Sequence, residues 1–173
     1  LLVRRAGEKP RRGFFSGYLK DPDATQAAWT DDYFHTGDLV YLDDDGLMHF
    51  VDRIKNVIRR SGENISAVEV EEVIREHPAV QAIGVTAVTD EIRGDEVFAC
   101  IVTDSDMETL SRELIEHSLK RLAYYKAPGY FARVDALPLT ATEKVQRSRL
   151  KDLARSLLVS GNCIDLRALK VRQ

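Results

Sequence analysis

Apolar positions in the first third of the chain come in short clusters broken by polar turns. Leu1 to Arg4 reads as one strand, and "GEKPRRG" after it as a loop rich in breakers. Asp21 before Pro22 predicts a short helix in "DPDATQAAW". "DLVYL" and "LMHFV" flank "DDDG", a turn-forming cluster that ends in Gly46, so the stretch from Gly37 to Arg53 predicts a hairpin. "NVIRR" predicts a further short strand. It ends at "SGEN", where Gly62 and Asn64 can both take positive φ.

From Ser66 onward the spacing becomes helical and then β-like. Ser66 and Glu69 form an S-x-x-E capping box ahead of "AVEVEEVIREH". Val70, Val73 and Ile74 share one face of that helix, with glutamates opposite, and Pro78 ends it. "AVQAIGVTAV" and "EVFACIVT" are apolar and β-branched throughout, which predicts two strands of a buried sheet joined by a turn at Gly94. "METLSRELIEHSLKRL" predicts a second amphipathic helix, with Leu110, Leu114 and Leu122 on one stripe. "YFARVDALP" predicts a short strand, "LTATEKVQR" a polar loop and "SRLKDLARSLL" a last helix. The predicted fold class is α+β: a small α/β domain with a three-stranded sheet flanked by helices, preceded by a β-rich piece. The pattern changes near Asp52 to Lys55, giving segments 1–52 and 53–155 and a tail at 156–173. No internal repeat or low-complexity segment is present.

Composition narrows the function classes. The chain has 173 residues, 44% of them hydrophobic, and a formal charge of -3. That suffices for one core, or one core and a satellite. The near-neutral charge, and aromatics not interleaved with basic residues, argue against a nucleic-acid partner. No apolar run approaches the roughly 18 residues of a membrane span, and no secretory signal opens the chain. Cys100 lies in an apolar run, and nothing implies export for Cys100 or Cys163, so reduced thiols in a cytoplasmic protein are expected. The first residue is not methionine and the chain opens inside an apolar run. It reads as the tail of a longer protein.

Three places could carry chemistry. In "FHTGD", the Asp38 carboxylate could accept both hydroxyls of a ribose, with Thr36 and Gly37 beside it; it could equally cap a turn. In "DRIKNVIRR", Arg53 could meet the same sugar or a phosphate, or belong to a solvated basic edge. In "LPLTATEKVQR", Lys144 is a compact charge suited to a phosphoryl oxygen, or an ordinary surface lysine beside a glutamate. The four histidines show no metal-ligand spacing, so no metal site is expected. The nucleophile-elbow, C-x-x-C and P-loop motifs are absent.

In this order the three stretches resemble the AMP-forming acyl-adenylate superfamily, which includes acyl-CoA synthetases, adenylation domains of peptide synthetases and luciferases. The resemblance covers nearly all of residues 1–155. "RRSGENISAVEVE" resembles most the carnitine/crotonobetaine and fatty acyl-CoA ligase branch. The resemblance implies that residues 1–52 end a large N-terminal adenylation domain and that 53–155 form its mobile C-terminal lid. It implies a carboxylic acid–CoA ligase that forms an acyl-AMP and then a thioester, with ATP, Mg²⁺ and coenzyme A. The Mg²⁺ would be bound mainly by the N-terminal part. Asp38, Thr36 and Arg53 would bind the nucleotide, Lys55 would be the hinge, and Lys144 the catalytic lysine of adenylation. Gly62, Glu63, Tyr125 and Lys126 would lie near coenzyme A.

The chain departs from the family at Glu143, where the family has glycine before the lysine. The phosphate loop, acyl pocket and metal-binding acid of the family are absent, so this chain alone is expected to be inactive. Two other readings stand beside the ligase: an adenylation domain of a peptide synthetase-like enzyme, and a non-catalytic module that binds a nucleotide or a partner. No carrier-protein motif follows Leu158, which counts against the first.

Overall fold

Residues 1–171 are described by the computed structural model. The chain divides into two units, residues 1–55 and residue 56 onward. The division falls after Lys55, at the end of the stretch where the sequence pattern changes, and Arg53 still pairs within the hairpin of the first unit.

The first unit contains strands β1 (Leu2–Val3), β2 (Trp29–Thr30), β3 (Tyr33–His35), β4 (Asp38–Leu42) and β5 (Met48–Arg53), and one helix, α1 (Pro22–Ala27). The Asp21 carboxylate caps α1 by accepting from the Ala24 N–H, and Pro22 starts the helix with its φ already set. β1, β3 and β2 form one antiparallel sheet, in that order. β4 and β5 form the predicted hairpin, whose turn closes at Gly46 with φ +78°. A bulge between Leu39 and Val40 shifts the register, and the pairing ends with Asp38 opposite Arg53. Rings of Phe14, Trp29 and Phe34 pack against one another, with centroids 5.1 to 5.8 Å apart.

The second unit begins with a hairpin, β6 (Ile58–Arg60) and β7 (Glu63–Ile65). It continues through α2 (Ala67–Arg75), β8 (Ala82–Asp90), β9 (Gly94–Val102), α3 (Met107–Leu119), β10 (Tyr130–Arg133), α4 (Arg147–Val159) and β11 (Ile164–Asp165). β9 is central. β8 runs antiparallel along its whole length on one side. β10 lies parallel on the other side after the α3 crossover, and β6 touches that same side at Arg60. Side chains of β9 alternate between two cores. Val97, Ala99 and Ile101 pack with α2 and α3, while Phe98 and Cys100 pack with Leu150 and Ala154 of α4. Burial on both faces explains why this strand is apolar without alternation. α4 approaches β8 closely at Gly84, where a Cβ would lie 2.9 Å from Leu150.

The mixed α/β class matches expectation, but the sheet is larger than three strands. The expected core β8-β9-β10 is extended by β6 and β7 and by β11, giving six strands. The turn at "SGEN" also differs. Ser61 and Gly62 take positive φ, +50° and +88°, and Asn64 lies within β7. A two-residue turn with both residues left-handed matches strand twist, so the chain turns one residue earlier than its composition suggests. α3 ends at Leu119, and Leu122 joins the core from the loop beyond it. The stretch expected as a tail is part of the domain: α4 runs to Val159 and β11 pairs with β10. Residues 172–173 of that stretch lie outside the described residues. Both cysteines are free thiols, and burial pushes the Cys100 thiol up to about 12. Among the described residues no helix is long and apolar enough to cross a membrane.

Candidate functional site

In the first unit the Thr-Gly-Asp triplet lies where β3 hands over to β4. Gly37 takes φ +74°, a conformation that a side chain would strain, and this turns the strand sharply into Asp38. The Asp38 N–H donates to the Thr36 hydroxyl at 3.1 Å, and the Ile54 N–H donates to the Gly37 carbonyl at 2.8 Å. Arg53 donates to the Asp38 carboxylate at 2.7 Å across the end of the hairpin. That hydrogen bond holds the Asp38 carboxyl below the usual carboxylate range. The pair thus presents an ionised, oriented carboxylate at a partly exposed position, with one oxygen bound and acceptor capacity left over. Lys55 lies in a short 3-10 turn, Ile54–Asn56, at the end of this unit.

In the second unit Lys144 sits on a five-residue ribbon rather than a loose loop. The Thr140 N–H donates to the Lys144 carbonyl at 2.8 Å, and the Glu143 N–H donates to the Thr140 carbonyl at 3.0 Å. The Lys144 N–H donates to the Thr140 hydroxyl at 3.2 Å. Glu143 takes φ +59°. A turn followed by a left-handed residue is the three-residue hairpin loop in which glycine is favoured at the last place. Lys144 is exposed, and among the described residues no hydrogen bond or ion pair engages its ammonium. Three residues on, Arg147 anchors the ribbon. It makes a two-point contact with the buried Glu71 carboxylate of α2 and donates to the Val85 carbonyl at 2.9 Å. Glu71 also accepts from the Val85 N–H at 2.7 Å. Together they satisfy backbone groups on the outer edge of β8.

A groove of about 530 Å³ lies elsewhere on the second unit. Arg60, Ser61 and Glu63 of the β6–β7 hairpin line it, as do Leu122, Tyr125 and Val171. Gly62 is the turn residue between Ser61 and Glu63. The structure therefore brings Glu63 and Tyr125 to one groove, while Gly62 turns the chain beside it without lining it. Lys126 is engaged beside it, with its ammonium donating to both Glu69 oxygens at 2.6 and 2.9 Å. Glu69 is the glutamate that ends the capping box, three residues after Ser66, and its N–H donates to the Ser66 hydroxyl at 3.3 Å.

Several residues that matter here carry no motif. Glu96 is fully buried and accepts from Arg60 at 2.9 Å and from Lys170. A charged residue opening an apolar strand covered on both faces signals a buried partner. The partners, however, stand 36 and 74 residues away, beyond the reach of local pattern. Among the described residues no group of three or more His, Cys, Asp or Glu side chains is gathered as a metal ion would require.

Residues 69–144 match the family described as AMP-binding enzyme C-terminal domain. The 2-succinylbenzoate–CoA ligase of Bacillus velezensis is 42% identical over 142 residues, covering 82% of this chain and 29% of that protein. The crotonobetaine/carnitine–CoA ligase of Proteus mirabilis is 39% identical over 145 residues, covering 83% of this chain and 28% of that protein. The solved o-succinylbenzoate CoA synthetase of Bacillus subtilis, in complex with its acyl-adenylate intermediate, superposes with a TM-score of 0.71 at 30% identity. It matches over 88% of this chain and 34% of that one. The chain thus spans less than a third of the length of the first two relatives, at 29% and 28%.

Proposed function

We propose, from the match of residues 69–144 to the AMP-binding enzyme C-terminal domain, that this chain is the closing part of an ATP-dependent carboxylic acid–CoA ligase. The relatives are CoA ligases rather than peptide synthetases, so the ligase is the reading carried forward. Such an enzyme joins a carboxylate to AMP with loss of pyrophosphate, then passes the acyl group to the thiol of coenzyme A with loss of AMP. On this reading the protein works in the cytoplasm. Residues 1–52 complete the large adenylation domain, 53–155 form the mobile lid, and Lys55 is the hinge.

Each residue has a stated task. Asp38 accepts the two ribose hydroxyls through its unoccupied lone pairs, while Arg53 keeps it ionised and aimed. Thr36 holds the backbone at the turn. Lys144 places its charge between the attacking carboxylate and the α-phosphate, where negative charge builds up as the bond forms. The groove beside Gly62, Glu63 and Tyr125 receives the thiol cosubstrate. Lys126 could reach a coenzyme A phosphate only by giving up Glu69. Mg²⁺ would be held mainly by the N-terminal part of the enzyme.

The observation that carries the reading is the Lys144 ribbon: an exposed ammonium, unengaged among the described residues, on a backbone fixed by three hydrogen bonds. The test is K144A in the complete ligase. Acyl-AMP formation should fall by about a hundredfold or more, as when an oriented charge is removed from a transition state. Thioester formation from supplied acyl-AMP should persist. Equal loss of both half-reactions would overturn the role given to Lys144.

A further inference from the structure

One wall of the groove comes from a part of the chain that no motif announces. After α4 the chain runs back across the domain, and β11 pairs antiparallel with β10. Arg167 donates to the Asp90 and Asp165 carboxylates at 3.0 and 2.8 Å and lies 4.8 Å from the Tyr130 ring centroid. Gly129 makes the passage possible. A Cβ there would stand 2.8 Å from side-chain atoms of both Glu96 and Arg167, and the Gly129 carbonyl accepts from the Leu166 N–H at 2.8 Å. The chain then delivers Lys170 into the interior, with its side chain 0% exposed.

There Lys170 joins two segments that line the groove. Its ammonium donates to Glu96, whose other oxygen accepts from Arg60 at 2.9 Å. It also donates to the Tyr125 carbonyl at 3.4 Å. Val171, the next residue, lines the groove itself. Two cations sharing one buried carboxylate are a poor way to gain stability, since apolar side chains of similar volume serve as well or better. What such a cluster does supply is a fixed geometry. We infer that Lys170 is a positioning residue that ties the β6–β7 hairpin, through Glu96 and Arg60, to the Tyr125 loop, so that the segment after α4 sets the shape of the groove for the thiol cosubstrate. The inference rests on the reading of that groove given above.

K170M in the complete ligase tests it, since Glu96 keeps Arg60 as a partner and the domain retains a paired carboxylate. Amide hydrogen exchange is followed at residues 58–65 and 122–126, and the two half-reactions are assayed separately. Exchange should quicken in both segments. The KM for coenzyme A should rise about tenfold or more, the scale on which remote misplacement acts, with the rate of acyl-AMP formation unchanged. V171W, at an exposed position, should raise the same KM while leaving exchange alone, and serves if K170M does not fold. Unchanged exchange in either segment of folded K170M would overturn the tie. Faster exchange in K170M with an unmoved KM in both variants would keep the tie but reject the groove as the thiol site.

Discussion

Glu143 holds a left-handed backbone directly before Lys144, at φ +59°. A side chain in that conformation costs roughly 1 kcal/mol relative to glycine, and the exposed carboxylate forms no ion pair with Lys144. E143G should therefore stabilise the protein by about 1 kcal/mol and raise its Tm by about 2–4 °C, a shift readable by calorimetry. A lower Tm would mean that Glu143 makes a compensating contact in solution. Asp38 offers a second test at this scale. Its carboxyl is held below the usual range by the Arg53 hydrogen bond. A group with a depressed folded pKa contributes stability that is present above its unfolded value of about 3.9. That contribution fades as pH falls through the folded value. R53M should move the Asp38 titration back up toward about 3.9, followed by carbon NMR of the carboxyl. A titration that stays put on substitution would remove Arg53 as the partner that ionises Asp38.

Between elements, the contact that fixes the Lys144 ribbon is the join of α4 to α2 and β8. Arg147 and Glu71 close the outer edge of β8 at one residue, Val85, by binding its C=O and its N–H, and Glu71 is buried. Removing the cation leaves a buried carboxylate without its charge partner, a loss of about 3–5 kcal/mol. R147A should lower the urea midpoint accordingly, while E71Q/R147M, which removes both charges, should recover much of it. Equal midpoints for the single and double variants would show that no buried charge is at stake. Much of this arrangement was legible in the sequence because its signals are local. The Ser66 cap, the "DDDG" turn and the strands of unbroken apolar character each reflect a few neighbouring residues. The Glu71–Arg147 and Glu96–Lys170 pairs were not legible, because their members are 76 and 74 residues apart and nothing local selects a partner. The sheet was underestimated for a related reason. β7 and β11 are short and polar, and they become strands only because a partner strand lies alongside. The candidate residues at Asp38, Arg53 and Lys144 were found by resemblance, and the spacing alone left the bland readings open.

At the scale of the whole chain the two units differ in how they bury apolar surface. Residues 1–55 hold one buried residue, Asp52, and expose Phe15, Tyr18, Tyr41 and Phe50 by 39% to 60%. Residues 56 onward pack two continuous cores on the two faces of one sheet. A 55-residue unit with no fully buried apolar side chain has little to set against its conformational entropy, so its opening free energy should lie near the low end of the scale. Chymotrypsin at low ratio should cut this chain first at aromatic residues within 1–55, leaving a fragment that starts near residue 56 and persists. Mass spectrometry of the time course identifies the order. First cuts in β9 or α3 would contradict the burial pattern. The same experiment bears on the proposed function. If residues 1–55 close a larger adenylation domain, their exposed aromatic faces are covered in the complete ligase, and the same bonds should resist there by a wide margin. Cuts at equal rates in the chain and in the complete ligase would mean that the surrounding domain gives these residues no cover.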